Sequence, residues 1–154
     1  MLYLVFSVLL GFGINLNGET SEERFSPYIP SDTISWKLLS ELEYIASDHK
    51  VYGEVYLPKF SKSIKKLDKK KVTVRGYLVP VDKLTWALSK STYASCFFCG
   101  KAGPETVIGI TWKKDPGKLV MDTNAYITGT FVVNGTDVDD WMYAIKDAEI
   151  ISKK

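Results

Sequence analysis

The sequence predicts a mainly β protein, a small OB-like barrel of about five strands that follows one N-terminal amphipathic helix. Helical periodicity is confined to a stretch that begins near residue 35, whereas apolar and polar residues alternate after Val72 in runs separated by short turns. Gly76, Gly109 and Gly129 lie inside those runs, which is typical of bulges and bends where a small sheet coils into a barrel. About five strands fit such a barrel better than a sandwich, which needs roughly seven or more strands.

The composition indicates a single globular domain. The chain has 154 residues, of which 45% are hydrophobic and 25% are charged, and this is enough apolar material for a core. The formal net charge of +2 is too balanced to indicate nucleic acid or an acidic membrane surface as a partner of the whole chain. An electrostatic partner would therefore depend on a local patch of charge.

The first residues predict a secretory signal. The apolar run from Leu2 to Ile14 is shorter than the roughly 20 residues that span a bilayer, and a polar segment follows it. No Lys or Arg precedes the run and no Ala-x-Ala site follows it, but Gly11 and Gly13 could serve a signal peptidase. We expect a signal peptide over residues 1–18, a linker over 19–34 and the folded domain over 35–154, in a periplasmic or secreted protein. The alternatives are a buried first strand and an uncleaved membrane anchor.

The stretch "SWKLLSELEYIASDHK" predicts an amphipathic helix of about three turns, capped by Ser35 or Asp32. His49, the only histidine, would then be an exposed residue at the C-terminal end of the helix. Apolar residues at helical spacing support this prediction, namely Leu38, Leu39, Leu42 and Ile45.

Strands are predicted in the second half of the chain. "KKVTVRGYLVPVD" indicates a long strand bent at Gly76, and three further runs are "TVIGITWKK", "AYITGTFVVNG" and "DWMYAIKDAEIIS". The turn signals between them are "DPGK", "DTN" and "NGTD". Together they predict most of the barrel.

The basic run from Lys59 to Lys71 has two interpretations. It is a solvated segment with Phe60, Ile64 and Leu67 packed inward, or it is part of a basic groove for a single-stranded nucleic acid. Export would remove the protein from nucleic acid, so the solvated segment is preferred. In a binding module, four aromatic residues are the candidate contact surface, namely Tyr77, Trp86, Phe97 and Trp112.

Six stretches over about Trp36 to Ile151 carry a likeness to a known family, namely "SWKLL", "LDKKKVTVRGYLVPVD", "LSKSTYASCFFCGKAGPE", "TVIGI", "YITGTFVV" and "WMYAIKDAEII". In these stretches the chain resembles a family of uncharacterised exported bacterial proteins. The resemblance implies an OB-like barrel with a cysteine-containing loop before a Val-rich strand, and no assigned activity. Many members carry Cys-x-His followed by prolines in that loop, whereas this chain has Cys96-Phe97-Phe98-Cys99.

The two cysteines, Cys96 and Cys99, are the only candidates for chemistry. Their spacing allows both thiols to chelate a soft metal ion or to close a small disulfide that pins the loop in an oxidising compartment. A structural zinc site needs four ligands, so His49, Glu105, Asp115 or a second subunit would have to complete it, whereas Cu(I) accepts fewer. The βαβ context of a thioredoxin-like redox pair is absent, and a haem attachment needs His where Gly100 stands.

No catalytic centre is predicted. A single histidine excludes most catalytic triads and metallohydrolase sites, and Asp137 to Asp140 reads as a polar turn because it lacks calcium-loop spacing. We therefore expect an exported accessory or binding protein whose cysteine loop holds Cu or Zn or forms a disulfide. The alternatives are a thiol–disulfide redox protein and an OB-type module that binds a small ligand or a partner protein without chemistry. Nucleic acid is not expected, and membrane contact is expected only through an uncleaved leader.

Overall fold

The computed structural model describes residues 33–153. The predicted signal peptide, and the predicted linker up to residue 32, lie outside the described residues. The strands are β1 (Thr33–Ile34), β2 (Leu42–His49), β3 (Gly53–Phe60), β4 (Lys71–Pro80), β5 (Trp86–Ser89), β6 (Val107–Trp112), β7 (Asn124–Val133) and β8 (Tyr143–Lys153). The α-helices are α1 (Trp36–Leu39) and α2 (Lys62–Leu67), and single 3₁₀ turns span Tyr93–Ser95, Phe97–Cys99 and Pro104–Thr106.

Five strands close into a barrel. They are ordered β4-β5-β6-β8-β7, and β7 pairs back onto β4, so the sheet has no open edge between its first and last strands. All pairings within the barrel are antiparallel except the parallel one between β6 and β8. The short strand β1 adds a parallel pairing to β4. The prediction of a mainly β protein with an OB-like barrel of about five strands is confirmed.

The interior of the barrel is filled by apolar side chains from all five strands. Gly129 shows how the barrel bends. The register between β7 and β8 shifts between Thr128 and Thr130, and a Cβ at Gly129 would collide with the side chain of Ile145. The expected bulge at an interior glycine is present there. Fully buried core residues include Leu39, Ile64, Val74, Leu78, Leu88, Ile108, Ile127, Phe131, Tyr143 and Ile145.

The predicted N-terminal helix is wrong in its length. It begins as expected, because the hydroxyl of Ser35 accepts a hydrogen bond of 3.2 Å from the backbone N–H of Leu38, but α1 ends at Leu39. The residues that follow form β2, which pairs antiparallel with β3 along its whole length. This pairing satisfies the backbone groups that the two strands turn toward each other, and Phe60 at the end of β3 packs onto the core, so tertiary contacts outweigh the local helical pattern.

Residues 42–60, which comprise β2, β3 and their turn, form a hairpin arm that is a separate two-stranded sheet. Gly53 closes the turn with a positive φ of 70°. His49 lies at this turn, where its Nδ1 accepts hydrogen bonds from the N–H groups of Val51 and Tyr52, and its ring stacks on that of Tyr52. The prediction of a histidine at a helix end is therefore wrong.

The basic run from Lys59 to Lys71 contains the short helix α2. The hydroxyl of Ser61 caps this helix by accepting from the N–H of Ile64, whose side chain is fully buried. Phe60 is buried and Leu67 packs partly against the core, so the apolar residues of the run point inward as predicted. Between residues 33 and 153, no helix is long and apolar enough to cross a membrane.

Candidate functional site: a cleft between the hairpin arm and one end of the barrel

A cleft of about 610 Å³ lies between the hairpin arm and three loops at one end of the barrel. The loops are those between β4 and β5, between β5 and β6, and between β7 and β8. Four segments that are distant in sequence thus share one site. Its lining consists of Tyr44, residues 56–58, Val81, Thr85, Phe97, Phe98, Pro104, Val107 and residues 134–142.

Two tyrosine hydroxyls fix the hairpin arm over the barrel end. Tyr44 donates to Oε2 of Glu105 at 3.0 Å, and Tyr52 donates to Oδ1 of Asp139 at 2.7 Å. Burial, followed by the hydrogen bond and the charge of Glu105, raises the pKa of Tyr44 well above its usual range. The pKa of Tyr52 is also raised, mainly by its hydrogen bond to Asp139. Both hydroxyls therefore stay protonated donors at neutral pH.

An aromatic wall forms the barrel side of the cleft. The ring of Phe98 meets Trp141 edge to face at 6.2 Å between centroids and Phe97 at 5.7 Å. The indole of Trp141 lies directly against Gly109 on β6, where a Cβ would collide with the indole ring. The glycine therefore gives Trp141 the space it needs to lie against the barrel.

Several apolar side chains of the cleft remain in contact with solvent. Tyr56 is 63% exposed, Tyr44 42% and Phe97 38%. Aromatic surface that is left exposed on several converging segments is typical of an interaction site. Tyr44 is fixed by its hydrogen bond to Glu105, and Phe97 packs edge to face on Phe98.

The acidic loop between β7 and β8 supplies the charge of the cleft. Asn134 accepts through Oδ1 from the N–H groups of Thr136 and Asp137, so the segment is a polar turn as predicted. Asp137, Asp139 and Asp140 are exposed and line the cleft. No Lys, Arg or His is found among the described residues that line it. The cleft is therefore negative in a protein whose net charge is slightly positive.

The cysteine pair flanks Phe97 and Phe98 in the sequence, although neither cysteine belongs to the lining of the cleft. Cys96 is fully buried, Cys99 is exposed, and both are free thiols. Each Sγ lies 3.0 Å from the same acceptor, the carbonyl oxygen of Tyr93. The two sulfur atoms therefore cannot be further apart than twice that distance. The loop is anchored because the N–H of Tyr93 donates to Oδ1 of Asp122 at 2.7 Å.

The residues proposed to complete a zinc site do not gather around the cysteines. His49 is in the turn of the hairpin arm, Glu105 accepts from Tyr44, and Asp115 lines a separate, smaller cleft. Within residues 33–153, no three His, Cys, Asp or Glu side chains come together as a metal site. Among these residues, the groups that the pair offers to an ion are two thiolates and the Tyr93 carbonyl.

The structure does not bring the four predicted aromatic contacts together. Phe97 lines the cleft, whereas Trp112 lines the smaller cleft of about 370 Å³. Trp86 packs against the core, and Tyr77 is half-buried on β4. Sequence reasoning missed Tyr44, Tyr56, Phe98 and Trp141. A signal for the hairpin residues existed in the alternating segment "GEVYLPKF", which begins at a glycine.

No protein-family model, curated protein or solved structure matches this chain. The cleft and the cysteine pair are therefore the features on which a function can rest.

Proposed function

We propose that the protein is an exported binding module of the OB type, which takes a ligand or a segment of a partner in the cleft. The observation that carries this proposal is the convergence of exposed aromatic side chains from the hairpin arm and the loops on one site. A rigid scaffold that presents loop residues in this way is typical of binding proteins.

The position of the cleft on the barrel supports the same proposal. In OB folds, ligands contact the loop between the first and second barrel strands and the loop between the fourth and fifth. Here these are the β4–β5 and β7–β8 loops, and both line the cleft. This support is an analogy at the level of the fold, so it indicates a place for the ligand and not its chemistry.

A fragment screen tests the proposal directly. Small aromatic and heteroaromatic compounds would be screened against the folded protein by saturation-transfer NMR. We expect hits whose signals are lost in Phe97→Ala, because this ring lines the cleft, and retained in Val120→Ala. Val120 is also exposed and apolar but lies outside the cleft. Hits that respond equally to both substitutions, or no hits, would contradict the proposal.

The cysteine pair supports a second candidate function, the binding of a soft metal ion. Cys96 and Cys99 direct both sulfur atoms at one carbonyl oxygen, so both lie on the same side of the loop. Cu(I) is soft and accepts two thiolate ligands, whereas zinc sites in proteins are almost always four-coordinate. Binding would convert two thiols to thiolates and release their protons.

Metal titration of the reduced protein tests this candidate. We expect one Cu(I) per chain, proton release on binding, and loss of binding in both Cys96→Ser and Cys99→Ser. We expect weak or absent Zn(II) uptake, because two thiolates are only half of the four ligands of a usual structural zinc site. The alternative is a disulfide between Cys96 and Cys99. Counting the free thiols of protein isolated from the exporting cell tests it, because a disulfide would leave no free thiols. Free thiols without metal uptake would contradict both interpretations.

Export is part of the proposal and has its own test. The apolar run from Leu2 to Ile14 has the length of a signal sequence. We expect the mature protein to begin after about residue 18, in the periplasm or the medium. N-terminal sequencing that finds Met1 on protein from the cytosol would contradict export.

A further inference from the structure

We infer that the occupant of the cleft is a basic segment of a partner protein, which places a Lys or Arg side chain between the aromatic wall and the acidic loop. This inference rests on the proposed function and adds the chemistry of the partner. Three features of the cleft support it: unpaired carboxylates, aromatic rings in the lining, and the exposure of these rings to solvent.

The charge of the cleft favours a cation. Three carboxylates, those of Asp137, Asp139 and Asp140, lie in one loop of the lining, and no basic side chain among the described residues lines it. Their hydrogen-bond donors are uncharged: the N–H of Asp139, the hydroxyl of Tyr52 and the N–H of Trp141, respectively. These contacts orient the carboxylates without neutralising them.

No ion pair within residues 33–153 involves these aspartates. The pairs that the structure contains there join Lys59 to Glu43 and Lys113 to Glu149. Unpaired carboxylates around a cleft attract cations and repel phosphate, so a nucleic acid is disfavoured in this position. A Lys or Arg of a partner would supply the missing counter-charge.

The aromatic wall favours the same kind of side chain. Ammonium and guanidinium groups bind to the faces of Trp, Tyr and Phe rings through the negative face of the π system. Lys and Arg also carry apolar stems, which can pack on rings such as Phe97 and Tyr56 while the charged head faces the aspartates. An anionic or purely polar ligand would use neither property.

The openness of the cleft favours a polypeptide over a small cation. An enclosed site for a small molecule buries most of its ligand, whereas Tyr44, Tyr56 and Phe97 keep more than a third of their surface exposed. These rings lie on two different elements, the hairpin arm and the loop between β5 and β6 that carries the cysteines. An extended segment can contact both elements at once and cover the exposed rings.

Model peptides provide the probe. A short unstructured peptide of alternating Lys and Phe, labelled with a fluorophore, would be titrated with the protein at low ionic strength and followed by anisotropy. A Glu–Phe peptide of the same length tests the sign of the charge, and a Lys–Ser peptide tests the need for apolar contacts. We expect binding of the Lys–Phe peptide, weaker binding of Lys–Ser and no binding of Glu–Phe.

Two matched triple variants test the place of binding. Asp137→Asn, Asp139→Asn and Asp140→Asn together remove the cleft charges but keep each Oδ1 acceptor in place. Asp48→Asn, Asp115→Asn and Asp147→Asn remove three exposed charges outside the cleft. We expect the first variant to weaken binding of the Lys–Phe peptide by about tenfold, at the usual strength of exposed charge pairs, and the second to leave it unchanged within about twofold.

The outcomes separate the two proposals. Equal binding of the Glu–Phe and Lys–Phe peptides, or equal weakening in both triple variants, would overturn the basic partner. If aromatic fragments still bound at Phe97 in that case, the binding module would stand. A single-stranded DNA oligomer that bound with the same dependence on Phe97 would also overturn the basic partner. Failure of every probe and fragment would overturn both proposals.

Discussion

The hydroxyl of Tyr44 donates a hydrogen bond of 3.0 Å to Oε2 of Glu105, and so joins the hairpin arm to the loop that carries both cysteines. The two residues are 61 positions apart in the sequence. Burial is the main cause that raises the pKa of the buried Tyr143 well above its usual range, and the electrostatic influence of Tyr44 and then of Glu105 adds to it. Tyr44, which lines the cleft, is held against the β5–β6 loop by its hydrogen bond to Glu105.

Removal of the Tyr44 hydroxyl should loosen the hairpin arm. We expect Tyr44→Phe to cost about 1 kcal/mol, the usual net value of one hydrogen bond, and to speed amide hydrogen exchange in β2 and β3. The barrel strands should exchange as before. Tyr56→Phe is the control, because the hydroxyl of Tyr56 contacts Glu54 within the hairpin arm itself. Equal exchange in the two variants would show that the contact with Glu105 does not hold the arm.

The packing of Trp141 on Gly109 should be sensitive to one methyl group. Gly109→Ala places a Cβ where the indole lies, so we expect a loss of about 1–3 kcal/mol and a displaced Trp141. Urea denaturation and the indole N–H signal in NMR spectra report these effects. The double variant Gly109→Ala with Trp141→Ala should lose less than the sum of the single variants, because the collision is gone. Strict additivity would contradict the proposed packing.

The buried hydroxyl of Tyr143 should stabilise the barrel. It donates to the carbonyl oxygen of Leu39 at 2.7 Å and ties β8 to α1. Tyr143→Phe leaves that carbonyl without this donor in the interior, which typically costs about 1–3 kcal/mol. Tyr126→Phe is the matched control, because no hydrogen bond of that hydroxyl is found within residues 33–153. Equal thermal stability of the two variants would argue against this role.

The β4–β5 loop should lose order in acid. The N–H groups of Leu84 and Thr85 both donate to Oδ1 of Asp82 at 2.7 Å, and these bonds lower the pKa of Asp82 below 3.8. Because the pKa is lower in the folded state, the stabilisation is present at neutral pH and is lost as the pH falls through the folded-state pKa. The amide shifts of Leu84 and Thr85 should titrate with a midpoint below 3.8, and Asp82→Asn should abolish the titration. A midpoint above that value would contradict the contact.

The barrel could be predicted because its signals are local. Apolar residues recur along β4, β6, β7 and β8 and most of them are buried, although β4 and β6 are buried at consecutive positions rather than on one face alone. Gly129 marks a bulge that the structure contains. The hairpin arm could not be predicted in the same way. Leu42 and Ile45 share helical spacing with Leu38 and Leu39, but Ile45 is 48% exposed and only pairing with β3 decides the conformation.

The candidate site was predicted only in part. Phe97 and the loop that carries Cys96 and Cys99 were identified, because cysteine spacing and an aromatic flank are visible in the sequence. The partners of Phe97 were missed, since Tyr44 and Trp141 reach the cleft through strand pairing and barrel closure. Contacts of this kind join segments far apart in the chain and leave no local pattern.

A map of backbone amide shifts tests the central claim most directly, because it locates binding without any substitution. The ¹⁵N-labelled protein would be titrated with the Lys–Phe peptide and followed by two-dimensional NMR. We expect the largest shifts at Tyr44, Tyr56, Phe97 and the acidic loop from Asn134 to Met142, with the face around Trp112 unchanged. Shifts concentrated around Trp112 and Asp115, or spread evenly over the barrel, would contradict a binding site in this cleft.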